Sequence, residues 1–255
     1  MNISNKPIIQ IRNLTSGYGG RIILDNISFD VTEGEVFVIL GGSGCGKSTL
    51  MKNIIGLFEP VSGEILIDGD NIISAQGSER IKILNKIGVM YQSGALFGSM
   101  TLRENIKLPL EEFTDLPTDA MNLISLMKLK LVGLEGFEEF MPSEISGGMQ
   151  KRAAIARAMA LDPEIIFLDE PSAGLDPITA AELDHLILRL ARDLHITFVV
   201  VTHELESIYT IADRVIFLDK ESKGIIAQGN PNELREKADN IFVRKFFNRE
   251  VSAEV

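Results

Sequence analysis

A glycine-rich loop between positions 41 and 49 has the composition of a phosphate-binding loop. Residues 41–48 match the pattern G-x-x-x-x-G-K-[ST], and Thr49 follows them directly. The candidate phosphate-binding residues are Gly41, Gly42, Ser43, Gly44, Cys45, Gly46, Lys47, Ser48 and Thr49. Glycines let successive backbone N–H groups point inward at phosphate oxygens, and a helix that starts after the loop adds its positive end. In such loops the lysine reaches the β- and γ-phosphates, and the next hydroxyl ligates Mg²⁺. The alternative is a glycine-rich turn with a solvated lysine, but the apolar run before the loop and the helix-forming run after it favour phosphate binding.

Two adjacent carboxylates, Asp169 and Glu170, directly follow the apolar run 165–168. This run predicts a buried strand, and α/β sheets bind ligands at the carboxyl ends of their strands. We expect Asp169 to hold Mg²⁺ through water and Glu170 to polarise an attacking water as general base. By themselves the two residues are equally consistent with a solvated pair at the turn before Pro171. Together with the phosphate loop, they predict hydrolysis of a nucleoside triphosphate.

The strands that position these groups are visible as two kinds of apolar pattern. Nearly continuous apolar runs at 35–40, 165–168 and 196–201 predict strands buried on both faces, as in a parallel sheet covered by helices. Residues 27–31 instead alternate apolar and polar side chains, and with the apolar-rich segment 8–14 they predict an antiparallel sheet with one solvated face. The sequence therefore predicts an α/β protein whose core is built from βαβ units.

Between about residues 93 and 160 the strand patterns stop and helix-like segments take their place. The segments 123–130 and 149–160 predict helices, so we interpret this stretch as a helical insertion into the α/β core. After residue 230 a short amphipathic tail carries Phe242, Phe246 and Phe247. These aromatic residues predict packing on the body of the protein or on a partner.

Composition and charge exclude several classes of function. The chain has 255 residues, of which 45% are hydrophobic and 24% charged, as in a folded globular protein. Its formal net charge of −11 predicts repulsion from nucleic acid, and Lys151, Arg152 and Arg157 are expected to form a solvated or interface face of a helix. No apolar stretch approaches the roughly 20 residues of a membrane-spanning helix. The N-terminus lacks the features of a secretory signal and Cys45 is the single cysteine, so we expect a cytosolic protein.

A second anion-binding element begins at Ser146, Gly147 and Gly148, which precede an alanine-rich run. Bare helix N–H groups and a serine hydroxyl bind anions, although Ser146 could equally serve only as a helix N-cap. Because one phosphate loop already cradles a nucleotide, we expect this helix to serve another subunit. With these elements in this order, the chain resembles the ATPase cassette of ABC transporters. The family signature LSGGQ corresponds to the stretch from Ile145 to Met149, which departs from it at the first and last positions.

The resemblance implies roles for further residues, each with a simpler alternative. Tyr18 resembles the aromatic residue that stacks on adenine, or it is a core or turn tyrosine. Gln92 resembles the glutamine that senses Mg²⁺ and water and relays the nucleotide state to the membrane subunit, or it is a surface residue. The segment that ends at Asp176 resembles the loop that crosses the dimer interface, although Asp176 could equally be a helix N-cap. His203 resembles the switch histidine that contacts the γ-phosphate. The implied catalytic residues are Glu170, His203, Gln92 and Lys47, and the implied metal ligands are Ser48, Gln92 and Asp169.

The resemblance also implies a fold, cofactors and a mechanism. The fold class is α/β: a P-loop NTPase ABC cassette with a RecA-like core, an antiparallel β subdomain and an inserted α-helical subdomain. Residues 1–92 and 160–230 are predicted to form the nucleotide-binding core with its β subdomain, 93–159 the helical signature subdomain, and 231–255 a C-terminal tail. ATP and Mg²⁺ are the implied cofactors. Two copies are expected to sandwich two ATP molecules, closure drives a permease, and hydrolysis reopens the pair.

Within the family, three stretches resemble the ATPases of MCE-type lipid transporters, in which Met commonly ends the signature. They are the residues 92–97, 141–149 and 176–179. The resemblance implies a multi-span membrane permease, a periplasmic MCE-domain protein and phospholipid as cargo, at the cytoplasmic face of the bacterial inner membrane. The alternatives are the ATPase of a small-solute importer and a soluble ABC ATPase in DNA repair or translation. Phe97, Leu102 and Ile106 are either cassette core or an apolar surface for a permease helix.

Overall fold

Two β-sheets of different construction organise the chain. The computed structural model describes residues 6–250. Its strands are β1 (Pro7–Tyr18), β2 (Arg21–Thr32), β3 (Val36–Gly41), β4 (Ser62–Ile67), β5 (Asp70–Asn71), β6 (Ile87–Met90), β7 (Ile165–Asp169), β8 (Thr197–Val201), β9 (Arg214–Leu218) and β10 (Ile225–Gly229). Its helices are α1 (Lys47–Ile54), α2 (Gly77–Asn85), α3 (Leu102–Phe113), α4 (Thr118–Leu131), α5 (Gly147–Ala158), α6 (Pro177–Leu194), α7 (Leu205–Ile211), α8 (Pro231–Lys237) and α9 (Ile241–Asn248).

The smaller sheet is antiparallel and has the strand order β2-β1-β4-β5. Ile11 on β1 lies opposite Phe29 on β2 and Ile65 on β4, and all three side chains are buried. The polar residues that flank Phe29 on β2 are exposed or half-exposed. The predicted antiparallel sheet with one solvated face is therefore confirmed.

The larger sheet has the order β10-β9-β3-β8-β7-β6 and is parallel except for β10, which pairs antiparallel with β9. β3 lies between β8 and β9, and all six of its residues are buried. Strands buried on both faces are typical of parallel sheets covered by helices. The strands predicted from the apolar runs at 35–40, 165–168 and 196–201 all belong to this sheet.

Each strand of the larger sheet contributes side chains to two hydrophobic cores. Val38 and Leu40 of β3 belong to the core that includes residues of α3 to α6, whereas Phe37 and Ile39 belong to the core shared with the antiparallel sheet. The same alternation of faces recurs in β7 and β8. The sheet is thus held between two apolar layers, which makes its edges a rigid platform for functional loops.

The stretch between residues 93 and 159 contains α3, α4, a 3-10 helix at Pro142–Glu144 and α5, and no strand. A capping box starts α3: the Thr101 hydroxyl accepts a hydrogen bond from Glu104 N (3.2 Å), and Glu104 Oε2 accepts one from Thr101 N (2.8 Å). Leu102 and Ile106 are fully buried and belong to the core. Phe97, by contrast, is 48% exposed, so of the three apolar residues in question it alone lies on the surface.

The C-terminal tail packs on the body of the protein through its phenylalanines. Phe246 contacts the ring of Phe217 on β9 edge-on, with 5.1 Å between centroids. The Tyr209 hydroxyl donates a hydrogen bond to the Phe247 carbonyl (2.7 Å). The predicted packing on the body is confirmed up to residue 250, and the last part of the predicted tail, 251–255, lies outside the described residues. Within the described part of the chain, no helix has both the length and the apolar character of a membrane span.

Candidate active site

Four parallel strands end at one edge of the larger sheet and bring the predicted site together there. The phosphate loop follows β3, Gln92 follows β6, Asp169 ends β7 and His203 follows β8. An open cleft of about 620 Å³ at this edge is lined by Ser48, Lys52, Tyr91, Gln92, Ser93, Asp169, Ala173 and Gly174. Segments that are distant in sequence therefore meet because parallel strands present their carboxyl ends at a common edge.

The phosphate loop depends on glycine at two of its positions. A Cβ on Gly41 would overlap the sulfur of Cys45 and the carbonyl oxygen of Leu218 on β9. Gly46 has φ +106°, and a Cβ there would lie 2.7 Å from Leu24 Cδ2. Cys45 is only 1% exposed, and burial raises the pKa of its thiol. The cysteine therefore packs the loop against the sheet as a neutral side chain.

Lys47 lies across its own loop. Its Nζ donates hydrogen bonds to the carbonyl oxygens of Gly41 (2.8 Å) and Gly42 (3.1 Å). Ser48 lines the cleft, whereas Thr49 is buried. No side chain caps the start of α1 and no acidic residue lies in its first turn. The first N–H groups of this helix and its positive dipole end are therefore suited to an anion.

Glu170 is held in an unusual conformation at the end of β7. Its backbone has φ +47°, which for a residue other than glycine costs roughly 1–2 kcal/mol. Its N–H donates to Val201 O on the neighbouring strand (2.8 Å). Its Oε1 lies 2.8 Å from His203 Nδ1, while its Oε2 is buried and has no hydrogen-bond partner among residues 6–250. A buried carboxylate oxygen without a partner, next to a strained backbone, is typical of a functional position.

Burial raises the pKa of the Asp169 carboxyl, and the adjacent charge of Glu170 raises it further. The positive charges of Lys52, Lys47 and Lys151 oppose this shift. A cation placed beside Asp169 lowers the same pKa and favours the carboxylate form. The electrostatics of this strand end therefore suit a bound cation.

The predicted metal ligands offer a hydroxyl from Ser48, an amide from Gln92 and a carboxylate from Asp169, and all three line the same cleft. These are the oxygen ligands that Mg²⁺ prefers, together with substrate phosphates. In the part of the chain that the structure describes, no group of three or more His, Cys, Asp or Glu side chains could hold a metal ion.

Tyr18 ends β1 and lies outside both hydrophobic cores. Its side chain is 43% exposed and meets Phe58 edge-on, with 5.2 Å between ring centroids. An exposed aromatic ring of this kind can stack on a flat ligand, as the sequence predicts. Gln92 is likewise exposed, and its backbone carbonyl accepts a hydrogen bond from Lys151.

Ser146 and Asp176 cap two helices whose starts lie side by side. The Ser146 hydroxyl accepts a hydrogen bond from Met149 N (3.3 Å) at the start of α5. The Asp176 carboxylate accepts one from the Thr179 hydroxyl (2.6 Å) and two from N–H groups at the start of α6. These hydrogen bonds lower the pKa of the Asp176 carboxyl, and the bond from the Thr179 hydroxyl lowers it most. Neither these caps nor Gly147 and Gly148 line the cleft of their own chain.

Three residues near the site are not predicted by the sequence motifs. Lys52 and Tyr91 line the cleft; Lys52 lies four positions after Ser48, on the same face of α1, which is the sequence signal for it. Lys151 was expected on a solvated or interface face, and that expectation is wrong because it is 8% exposed. Its chain reaches inward along α5 to the carbonyl of Gln92, a contact between segments that no local pattern encodes.

Comparison with known proteins identifies the family. The ABC transporter family matches residues 24–173 of this chain. The chain belongs to this family. A relative from Haemophilus influenzae, the intermembrane phospholipid transport system ATP-binding protein MlaF, is 42% identical over 235 residues, which are 92% of this chain and 88% of the relative. The probable ribonucleotide transport ATP-binding protein mkl of Mycobacterium leprae is 42% identical over 240 residues, which are 94% of this chain and 68% of the relative. The dimeric ATP-binding cassette MJ0796 bound to ADP and Pi has a TM-score of 0.77 at 33% identity, over 87% of this chain and 98% of that one.

Membership of the ABC transporter family confirms the predicted fold class and activity. The chain has the α/β cassette fold, binds nucleotide and is the ATPase of a membrane transport system. The family match includes the phosphate loop, Gln92, the start of α5, Asp169 and Glu170. Tyr18, Asp176 and His203 lie outside the matched range.

Proposed function

We propose that this chain is the ATP-hydrolysing subunit of a transporter that moves phospholipid across the bacterial cell envelope. Its partners are a second copy of itself, a multi-span membrane permease and a periplasmic MCE-domain protein, and it works at the cytoplasmic face of the inner membrane. The observation that carries the proposal is the 42% identity, over 92% of the chain, to the phospholipid transport protein of Haemophilus influenzae. The signature ending in Met149 supports the same assignment.

Nucleotide binding uses groups that the structure leaves accessible. Tyr18 stacks on adenine through its exposed ring. The N–H groups of residues 41–49 hold the phosphates, and Lys47 exchanges the carbonyls of its own loop for the β- and γ-phosphate oxygens. Ser48, Gln92 and Asp169 hold Mg²⁺. When bound, Mg²⁺ neutralises negative charge on the phosphates.

Hydrolysis uses Glu170 as the general base. The contact between its Oε1 and His203 holds the carboxylate. Its Oε2 is shielded from solvent, so the side chain rotates to present an oxygen to the attacking water. This oxygen accepts a proton as the water attacks the γ-phosphorus and ADP departs; a general base of this kind contributes about 10²–10⁴ in rate. The exposed imidazole of His203 contacts the γ-phosphate, and positioned N–H groups stabilise the charge of the transition state.

The start of α5 completes the site of a second copy. Ser146, Gly147 and Gly148 do not line the cleft of their own chain, yet they begin a helix with an N-cap hydroxyl and two glycines. Backbone N–H groups at such a helix end bind phosphate. Two copies arranged head to tail therefore close two nucleotides between the phosphate loop of one and the α5 start of the other. Asp176 caps the neighbouring helix and lies at the same interface.

The proposed cargo is tested by purifying the tagged chain from gently extracted membranes of its native host. Recovery of a multi-span permease, an MCE-domain protein and phospholipid is the expected result. A second sample from cells that express the Lys47→Ala variant distinguishes nucleotide-dependent lipid from background lipid. Recovery of the chain only from the soluble fraction would overturn the proposal.

A small-solute importer is the second candidate. The mycobacterial relative named for ribonucleotide transport is also 42% identical, over 94% of this chain. Under this alternative the same purification returns a solute-binding protein in place of the MCE-domain protein, and no enrichment of phospholipid.

A further inference from the structure

Lys151 is a buried lysine that lies beside the site and has no role in the steps above. It belongs to α5, the helix that starts after Ser146, and it is 8% exposed. Lysine is almost never buried this far unless its ammonium is paired. Here Nζ donates a hydrogen bond to the backbone carbonyl of Gln92, on a segment 59 positions away.

The surroundings of Lys151 place a positive charge near the predicted catalytic carboxylates. Burial lowers the pKa of the Lys151 ammonium, and the negative charges of Asp169, Glu170 and Glu204 raise it. The Lys151 ammonium thus lies between α5 and the carboxyl end of β7. It interacts electrostatically with Asp169 and Glu170 without a direct hydrogen bond to either carboxylate.

The segment that follows Gln92 is held to the helices by further side chains. A Cβ on Gly94 would lie 3.5 Å from Ala154 Cβ, so the turn packs directly against α5. Arg157, also on α5, donates a hydrogen bond to the Ala95 carbonyl (2.5 Å) and lies 5.7 Å from the Phe97 ring centroid. The segment is therefore attached to α5 along its length, and Lys151 makes the attachment nearest the cleft.

We propose that Lys151 is a positioning residue for ATP hydrolysis, which holds Gln92 at the metal side of the cleft and couples it to α5. The proposal rests on the roles given above to Gln92 and to the start of α5. Through Lys151, a displacement of α5 on closure of two copies shifts the Gln92 backbone, and with it the side-chain amide that would hold Mg²⁺. A lysine suits this role because its long side chain reaches from α5 to the Gln92 carbonyl, and because its positive charge strengthens the hydrogen bond.

The test compares three substitutions that separate length, charge and hydrogen bonding. Lys151→Arg keeps the charge and the donor, Lys151→Gln shortens the side chain and removes the charge, and Lys151→Met keeps an unbranched stem without charge or donor. Lys128→Gln is the matched control: Lys128 is also a buried lysine, at 6% exposed, but its Nζ pairs with Asp162, whereas the Nζ of Lys151 bonds to Gln92, which lines the cleft. Each variant is prepared as the full chain in its membrane complex.

Steady-state ATP hydrolysis is measured in two series: ATP is varied in excess Mg²⁺, and Mg²⁺ is varied at a fixed ATP concentration. Lys151→Gln and Lys151→Met are expected to lower kcat about tenfold, the effect of losing one charge-assisted hydrogen bond, while the KM for ATP changes little. The Mg²⁺ concentration that gives half-maximal rate is expected to rise in Lys151→Gln and in Lys151→Met. Lys151→Arg is expected to retain most of the wild-type rate and Mg²⁺ dependence. Lys128→Gln lowers the melting temperature but leaves kcat and the Mg²⁺ dependence unchanged.

Binding of a fluorescent ATP analogue, with Mg²⁺ and with EDTA, provides a readout that does not depend on turnover. Lys151→Gln is expected to reduce the gain in affinity on adding Mg²⁺ and to leave the affinity in EDTA unchanged. Wild-type kinetics and Mg²⁺ dependence in Lys151→Gln, or the same changes in Lys128→Gln, would overturn the proposal.

A further variant, Gln92→Ala, separates this proposal from the assignment beneath it. Normal Mg²⁺ dependence in Gln92→Ala refutes the role of Gln92 itself. Altered dependence in Gln92→Ala with normal dependence in Lys151→Gln refutes only the role of Lys151. The cargo found with the purified complex affects neither result.

Discussion

Gly148 on α5 packs against Thr179 on α6, and we predict that one added methyl group there pushes the two helices apart. A Cβ on Gly148 would overlap Cγ2 of Thr179, while the next nearest atom, Thr179 Cβ, would be 3.8 Å away. Gly148 does not have a positive φ, so alanine is not strained by the backbone at this position. Gly148→Ala therefore isolates a single steric contact.

The expected cost of Gly148→Ala follows from two opposing terms. Forcing an extra carbon into a packed interface typically costs about 1–3 kcal/mol, and alanine is up to about 1 kcal/mol better than glycine within a helix. We expect the free energy of unfolding to fall by about 1–2 kcal/mol and the melting temperature by roughly 2–8 °C. Thr179→Ser removes the colliding methyl but keeps the hydroxyl that donates to Asp176 (2.6 Å). The double variant is therefore expected to recover, with a coupling energy of about 1 kcal/mol.

Urea and thermal unfolding of the wild type, the two single variants and the double variant measure this cycle. ATP hydrolysis by the same four proteins separates packing from function. Because we propose that the start of α5 closes on the nucleotide of a second copy, the added methyl group keeps hydrolysis low in the double variant even though stability returns. Recovery of hydrolysis together with stability would show that Gly148 serves only helix packing. A Gly148→Ala protein as stable as the wild type would refute the steric argument itself.

Three further predictions concern single residues. Glu170→Gln is expected to retain MgATP binding but to lose about 10²–10⁴ in the rate of a single turnover, measured by phosphate release; a near wild-type rate contradicts its role as base. Burial raises the pKa of Asp184 to about 6, so the folded protein loses stability as the pH rises from about 4 to above 6. Asp184→Asn removes this loss. In urea unfolding, the free energy of unfolding of the variant minus that of the wild type should therefore be about 2–3 kcal/mol larger at pH 7.5 than at pH 4. Asn105→Ala leaves the N–H of Phe97 and the carbonyl of Met100 without a partner, and it leaves the carbonyls of Phe97 and Thr101 with only their backbone partners. We therefore expect the free energy of unfolding to fall by about 2–4 kcal/mol and amide exchange over 96–101 to become faster; unchanged exchange would contradict this.

Much of the fold was predictable because its signals are local. Alternation around Phe29 predicts a two-faced strand, and continuous apolar runs predict strands buried on both faces, since side chains in a strand alternate by geometry alone. The loss of these patterns after residue 92 predicts the helical stretch. The phosphate loop is predictable for the same reason: its conformation depends on consecutive glycines and on the helix that follows directly.

The contacts that distinguish one residue from another in the site are not local. Lys151 belongs to a helix with an alanine-rich interior, and nothing in its neighbourhood predicts that its ammonium pairs with the carbonyl of Gln92. Likewise, the glycines of the signature are visible in the sequence, but the need for Gly148 opposite Thr179 depends on how α5 meets α6.

The amino-acid sequence by itself therefore determines the chemistry available here: a phosphate loop, two carboxylates, a second helix start for anions, and the strands and helices that carry them. Only the tertiary structure decides that His203 meets Oε1 of Glu170 while Oε2 stays unpartnered, and that Lys151 is buried instead of solvated. The reason is physical. Secondary structure follows from backbone geometry and apolar periodicity over a few residues, whereas the partners of a buried polar group are set by which strand ends and helices pack together.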